Sequence, residues 1–488
     1  MVSTVEDILP DWAVNRSGAV TVRDKSGCTD NTSHLTDAVE CVNLAISIVL
    51  KPDQQEAAMR RRAGLLFLLH RTPTLIVVAL VITLVFSSSV AVADDWPQFR
   101  GPTGDGHGGL AELPLEWDEE TNVAWKVTVP GRGHSSPVIK GKRLWLTSAH
   151  DDGRQLDAFC FDVDSGKIVL RTTVFEDVQT QRVHKTNTHA SPTPVIDGKR
   201  VFVHFGSYGT ACIDAASADI LWKRNDLIVD HRHGPGSSPV LADDLLILQF
   251  DGLDRQFMIA LNAKTGDTAW RRERDIDYNS DNGERKKSFC TPLLIERNGR
   301  QQLVTTAARA AISYDPASGN ELWRVRFIGD SATSRPVATR DSVILTTSCV
   351  DAKMFAIRLD RNGDITDTGV RWRLQKGVPQ RPSPLFAEGL LYCIHDHGVL
   401  SCRDPETGKV IWQTRLGGNY SASPVYAGGR IYIVSESGKT SVLKPGRTLK
   451  MLAQNELETG CVASPAVAHR SLFLRTAKYL YRISPPDR

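Results

Sequence analysis

Two short clusters in this sequence carry the residue types of metal chemistry. In His395-Asp396-His397 the imidazoles stand two apart, which on a strand puts both on one face and within reach of one cation. The flanking runs Leu391-Tyr392-Cys393 and Val399-Leu400-Ser401 read instead as two strands, with the histidines solvated in the hairpin turn between them. Asp360-Arg361-Asn362-Gly363-Asp364 has the opening of a calcium loop but not its distal Glu, so it reads as a turn and no metal site is expected. A third set is basic and scattered: Arg132, His134, Lys185, Asn187, His189, His231, Arg232, His233, Lys286, Lys287, Ser288, Arg335, Arg381, Asn419 and Tyr420. Each lies at or just before a small-or-polar residue followed by proline. If those prolines mark strands around one axis, the set rims a channel mouth. It could then hold an anion, such as a quinone tricarboxylate, a sulfated or uronic polysaccharide or an acidic peptide. The alternative, and the favoured reading, is that these are polar loops whose charges splay into solvent. No Gly-x-Ser-x-Gly, His-Glu-x-x-His or phosphate-loop motif is present, so common hydrolase and nucleotide chemistries have no support.

The elements that would position these residues repeat. Eight such dipeptides, at 136, 193, 238, 291, 335, 383, 423 and 464, are spaced by 57, 45, 53, 44, 48, 40 and 41 residues. Most precede a turn and a short alternating apolar run, as in Gly428-Gly429-Arg430-Ile431-Tyr432-Ile433-Val434. A second signature closes most units: Asn262-Ala263-Lys264-Thr265-Gly266 with Trp270, Asp315 to Gly319 with Trp323, and Asp404 to Gly408 with Trp412. Asp162 to Gly166 is a further copy, and Asp214 to Ala218 with Trp222 a degenerate one. Asp or Asn bonds the turn backbone and Gly accepts its positive φ. The Trp then falls on the face that packs between units. Cys160, Cys212 and Cys402 stand two before the turn Asp, where other units have Ala260 or Ser313, a place for a small side chain.

Units of about 45 residues holding four short strands are propeller blades. The spacing predicts an all-β, eight-bladed propeller of four-stranded antiparallel blades over residues 123–485. The last unit ends at Ile483 without its Trp strand, whereas Val123-Ala124-Trp125-Lys126-Val127 is a Trp strand with nothing before it. The strand around Trp125 is therefore expected to complete the last blade.

The Asp-Ala-x-Thr-Gly-x-x-x-Trp element resembles the tryptophan-docking repeat of pyrroloquinoline-quinone (PQQ) propellers, which include quinoprotein alcohol dehydrogenases and BamB-like envelope propellers. Trp96-Pro97-Gln98-Phe99-Arg100-Gly101-Pro102 with Gly104-Asp105-Gly106 resembles the start of secreted PQQ-repeat proteins common in planctomycete bacteria. The likeness implies the fold and leaves function open, since one propeller serves enzymes and scaffolds. Dehydrogenases of this kind carry adjacent cysteines beside PQQ and hold calcium through Glu, Asn and Asp. This chain has no adjacent cysteines and no recognisable calcium set.

Composition is that of a folded protein. The 488 residues are 41% hydrophobic, and 59 basic against 56 acidic residues give +3, too little for a general nucleic-acid binder. Nine Cys without a CxxC argue against a disulfide scaffold or a zinc ribbon. Arg60-Arg61-Arg62, the apolar run Leu75 to Phe86 and Ala91-Val92-Ala93 read as a signal peptide over 59–93, or alternatively as a membrane anchor. Residues 1–58 then read as a mis-called upstream extension and 94–122 as a lead-in. The function expected is a binding or scaffold module of the cell envelope, with an envelope protein or anionic polysaccharide as partner and no cofactor. A PQQ-dependent oxidoreductase, with calcium, is the alternative.

Overall fold

The structure, a computed structural model, describes residues 95–486 apart from 111, 298, 349 and 350, together with a separate antiparallel pair, Trp12–Val14 and Val20–Val22. The proposed signal segment at 59–93 lies outside the described residues, as does most of 1–58. Among the described residues no helix is long and apolar enough to cross a membrane.

Residues 123–483 form eight blades around an axis. The first blade has the strands Val138–Lys140, Arg143–Ala149, Leu156–Asp162 and Ile168–Phe175, ordered from axis to rim. The others repeat this meander. In the eighth, Ala466–Ala468, Ser471–Arg475 and Tyr479–Ile483 are completed at the rim by Val123–Thr128, antiparallel to Tyr479–Ile483. The ring closes through the strand of Trp125, as its missing partner implied.

Blades are joined by tryptophans reaching outward from one sheet onto the turn of the next. The indole Nε1 of Trp125 donates to the Val163 carbonyl at 2.9 Å, Trp222 to Ala263 at 3.0 Å, Trp270 to Pro316 at 2.9 Å and Trp412 to Gly446 at 3.0 Å. The turn glycine lies under the ring. A Cβ on Gly166, whose φ is +70°, would come within 2.7 Å of the Trp125 indole, and Gly266 and Gly319 pack in the same way under Trp222 and Trp270. On the inner side of its own blade a Trp faces a small residue across the ladder in several blades, Cys212 opposite Trp222, Ala260 opposite Trp270, Ser313 opposite Trp323 and Cys402 opposite Trp412, whereas Trp125 faces Arg482. The small-residue position is thus set by cross-strand packing.

One unit departs from the pattern. Trp372 of the fifth blade docks on the turn of Gly408 in the sixth as the others do, donating to the Pro405 carbonyl at 2.9 Å, and the departure is Trp323. Trp323 is fully buried and bonds Gln302 Oε1 at 3.3 Å in its own blade. The fifth blade has an insertion in place of the turn, and Gly363–Asp364 adds to the fourth blade as a parallel edge strand beside Glu321–Arg326. The Asp360–Asp364 segment is therefore part of a sheet edge.

Candidate functional site

The Ser/Thr-Pro signals have a purpose that their spacing alone does not disclose. The amide of Ser136 donates to Thr193 Oγ1 at 2.9 Å, Thr193 to Ser238 Oγ at 2.9 Å, and Ser238 to Thr291 Oγ1 at 2.9 Å. Around the other side Arg335 donates to Ser383 Oγ at 2.9 Å, Ser383 to Ser423 at 3.0 Å, Ser423 to Ser464 at 2.9 Å, and Ser464 back to Ser136 at 3.0 Å. Each blade start is tied to the next by a hydroxyl. The chain of bonds has one gap, at Thr291, because position 335 is Arg and offers no hydroxyl.

Arg335 instead reaches beneath this ring. Its side chain is 1% exposed and donates to the carbonyls of Pro292 at 3.0 Å and Phe99 at 2.5 Å. Phe99 belongs to the lead-in, whose residues 96–109 cross the far end of the channel. Trp96 exchanges backbone bonds with Ile139, the Pro97 carbonyl accepts from Ile196, and His107 Nε2 meets the Phe386 carbonyl at 2.8 Å. Gly106 and Gly108 pair with Tyr426. Arg100, also 1% exposed, donates to the carbonyls of Pro384 at 3.0 Å and Asp105 at 2.5 Å. Burial pushes the Arg335 guanidinium down to about 10 and Arg100 to about 9, so both stay charged at neutral pH. The channel is consequently a cup, closed by the lead-in and open at the mouth.

The cup encloses about 420 Å³, with Phe99 and the hydroxyl ring at its floor. Its wall follows a period of two. The residue two before each ring position lines the cavity in all eight blades: His134, Ser191, Gly236, Phe289, Thr333, Arg381, Ser421 and Val462. Successive side chains of an extended strand point to opposite sides, so residues two apart share the axial side. The mouth adds His184, Asn187, His233, Gln380 and Asp396, with the ring of His233 stacked 6.1 Å from Phe289.

Of the basic rim read from sequence, His134, His233, Arg381 and Asn187 are brought together at this cavity. Arg132, Lys185 and Asn419 are exposed and line no part of it. His189 lies outside it, packed on Tyr208 with ring centroids 5.4 Å apart. His231 is buried and accepts the Ser207 amide at 2.8 Å, and Tyr420 is buried in a hydrophobic cluster. Arg335 is a floor group. The expectation that all of these face the mouth is corrected on this point: loops before the ring fold back on their own blades, and only the period-two positions keep their orientation.

The charge at the cup wall is also smaller than the rim suggested. Arg381 is held by Asp396 at 2.8 Å and Glu436 at 2.8 Å. Burial, with Arg475 and Arg132 nearby, pushes His134 down to about 4, and burial lowers His233 as well, so both are neutral at pH 7. Positive charge remains below the floor, on Arg100 and Arg335, which an occupant feels without touching. In His395-Asp396-His397 the turn is a hairpin turn: Gly398 donates to the His395 carbonyl, Asp396 is drawn into the cup wall, and His397 is exposed beside Asn419. Among the described residues no group of three His, Cys, Asp or Glu could hold a metal ion.

A family profile described as outer membrane protein assembly factor BamB (PQQ_2) matches residues 117–298 and again 260–487. The chain belongs to this family of PQQ-repeat propellers. No curated protein matches the sequence. Among solved structures it is similar to quinohemoprotein alcohol dehydrogenase from Comamonas testosteroni, at 12% identity and TM-score 0.60, covering 82% of each chain. It is similar to BamB from Moraxella catarrhalis at 11% identity and TM-score 0.52, covering 74% of this chain and 99% of that one. A europium-containing methanol dehydrogenase matches at 11% identity and TM-score 0.61, over 79% and 90% of the two chains. At these identities the PQQ-repeat propellers share the fold.

PQQ, which this fold family can hold with calcium, is a poor match for the cup. Its three carboxylates require cations in contact, and the one guanidinium in the wall is already bound by two carboxylates. The one carboxylate in the cup lining, Asp396, is likewise already paired with Arg381 and so is a poor ligand for a calcium ion.

Proposed function

We propose that this propeller is an exported binding or scaffold module of the cell envelope, whose partner inserts a small group into the cup. The observation that carries this reading is the lead-in seal, which turns a through-channel into a preformed receptor with one entrance. The floor offers hydroxyls above two buried guanidinium groups, and the wall offers an imidazole–phenyl face. That chemistry suits a hydrogen-bond-accepting or anionic tip, such as a carboxylate of an envelope protein or of a polysaccharide. Export is supported by the basic, apolar and small-residue sequence of 59–93, and the membrane enters only if that segment is retained.

The alternative, a PQQ-dependent oxidoreductase, is supported by the dehydrogenases that share the fold, and opposed by the contact groups of the cup. The two readings separate in one set of measurements on the purified protein. Calorimetric titration with oligo-uronates and with acidic peptides should show saturable binding that Thr333→Trp, which fills the cup, abolishes. If PQQ and calcium instead produce a bound quinone spectrum and dye-linked alcohol oxidation, the scaffold reading falls.

A further inference from the structure

The strand directions leave a second concave surface, on the side wall between the fifth and sixth blades. This groove has a volume of about 800 Å³ and runs from the turn at Gly408 toward His395. Its charges are all of one sign: Arg373, Lys376, Arg403 and Lys409 line it and no Asp or Glu does. Elsewhere a number of cations are matched locally, as in Arg326 with Asp364, Lys353 with Asp351 and Arg371 with Glu406. Arg373, Lys376 and Lys409 have no carboxylate partner among the described residues. Arg403 is 5% exposed and is satisfied only by neutral oxygens, Ser401 Oγ at 3.1 Å and the carbonyls of Gly408 at 3.1 Å and Gly377 at 3.4 Å. A guanidinium held away from water without a counter-charge is costly, and a carboxylate arriving beside it relieves that cost. Arg373 also lines a neighbouring cavity of about 520 Å³ with Arg309, Arg324, Arg326 and Lys353 against the one carboxylate of Asp277, so cations predominate onto the fourth blade.

We propose that this groove is a second binding site, for an acidic, extended segment of a partner protein. The charge calls for carboxylates, and the rest of the lining calls for a peptide. The apolar groups are aliphatic, Leu374, Val399 and Val410, the last 46% exposed. Among the described residues no Phe, Tyr or Trp faces the groove and His395 is its only ring, so a sugar finds little aromatic surface to stack on. Gln413 belongs to Val410–Arg415, the outermost strand of the sixth blade, whose outer edge has no strand paired to it among the described residues. An extended peptide pairing along that edge presents alternate side chains to the same side. Carboxylates at every second position would meet Lys409, Arg403 and Lys376 while the residues between face away. The site does not depend on the cup.

Anisotropy of a fluorescein-labelled peptide alternating Glu and Val, titrated with the full protein, tests this. Saturable binding is expected, weakened by salt and weaker by at least about tenfold in the Lys376→Glu/Lys409→Glu protein. Both lysines are exposed, and an unchanged melting temperature would exclude unfolding. Thr333→Trp in the cup should leave this binding as it was, which separates failure here from failure of the cup reading. No binding, an equal affinity in the double variant, or an equal affinity for the Gln–Val peptide overturns the proposal. So does an oligogalacturonate that binds more tightly through the same two lysines, which would make the groove a glycan site.

Discussion

The amide of Ser464 donates to the hydroxyl of Ser136, 3.0 Å away and 328 positions earlier in the chain. It is the bond at which the hydroxyl ring meets itself, joining the last blade to the first. The same seam is sewn at the rim by Val123–Thr128. Ser136→Ala leaves a buried amide with no acceptor, which costs about 1–3 kcal/mol. Equilibrium urea unfolding should show that loss in Ser136→Ala and most of it recovered in Ser136→Thr, which keeps the hydroxyl.

Tryptophan docking predicts a graded series at the neighbouring contact. Trp125→Ala loses the packing on Gly166 and the bond to the Val163 carbonyl, for about 2–4 kcal/mol. Trp125→Phe keeps the packing and loses the bond, for about 1 kcal/mol. Gly166→Ala should cost about 1–3 kcal/mol from the turn side, since its φ is +70° and its methyl would strike the indole. Urea midpoints would check the order, and a Gly166→Ala protein as stable as the parent would show that the turn can yield.

The fold was legible because its signals are local and repeated. An Asx turn, a glycine and a Trp at fixed offsets recur even where, as at Asp214 to Ala218, the glycine is lost. The insertion of the fifth blade hid Trp372, because the turn that should precede it is displaced by Gly363–Asp364. The cup was less legible. That Arg335 leaves the ring for the floor, and that Phe99 closes it, depend on contacts spanning 236 positions. Yet one signal was available. Counting two residues back from each Ser/Thr-Pro reaches Phe289, Ser421 and Val462 as well as His134 and Arg381, while selecting by charge picks out His231 and Lys185 instead.

Buried imidazoles set a pH dependence. His204 and His231 are 3% and 7% exposed, and burial pushes their pKa down to about 3 and about 4. Unfolded, each titrates near 6.5. Below about 6.5 the unfolded chain therefore takes up protons that the folded one refuses, and stability falls as pH drops, levelling off only near the folded values. Above 6.5 these groups contribute no slope. Urea midpoints measured from pH 7.5 to 4.5 should decline below pH 6.5. His231→Gln, which can still accept the Ser207 amide, should decline less steeply.

Arg335 is one of the groups that hold the lead-in in place, and its share can be tested against the ring it interrupts. Arg335→Ser supplies a hydroxyl where Thr291 lacks an acceptor, so the ring gains a bond while the lead-in loses the donor to its Phe99 carbonyl. In the parent, Arg100 is buried and closed to trypsin. The variant should be cut after Arg100 faster by at least about tenfold, because cleavage follows the population of the opened segment. Cleavage at the exposed Arg132 should change little by comparison. Ligand release from the cup should speed up in parallel, since a floor that opens gives the cavity a second exit. Unchanged cleavage after Arg100 would mean that the backbone pairing at Trp96, Pro97 and Gly106 is enough to hold the seal without the guanidinium.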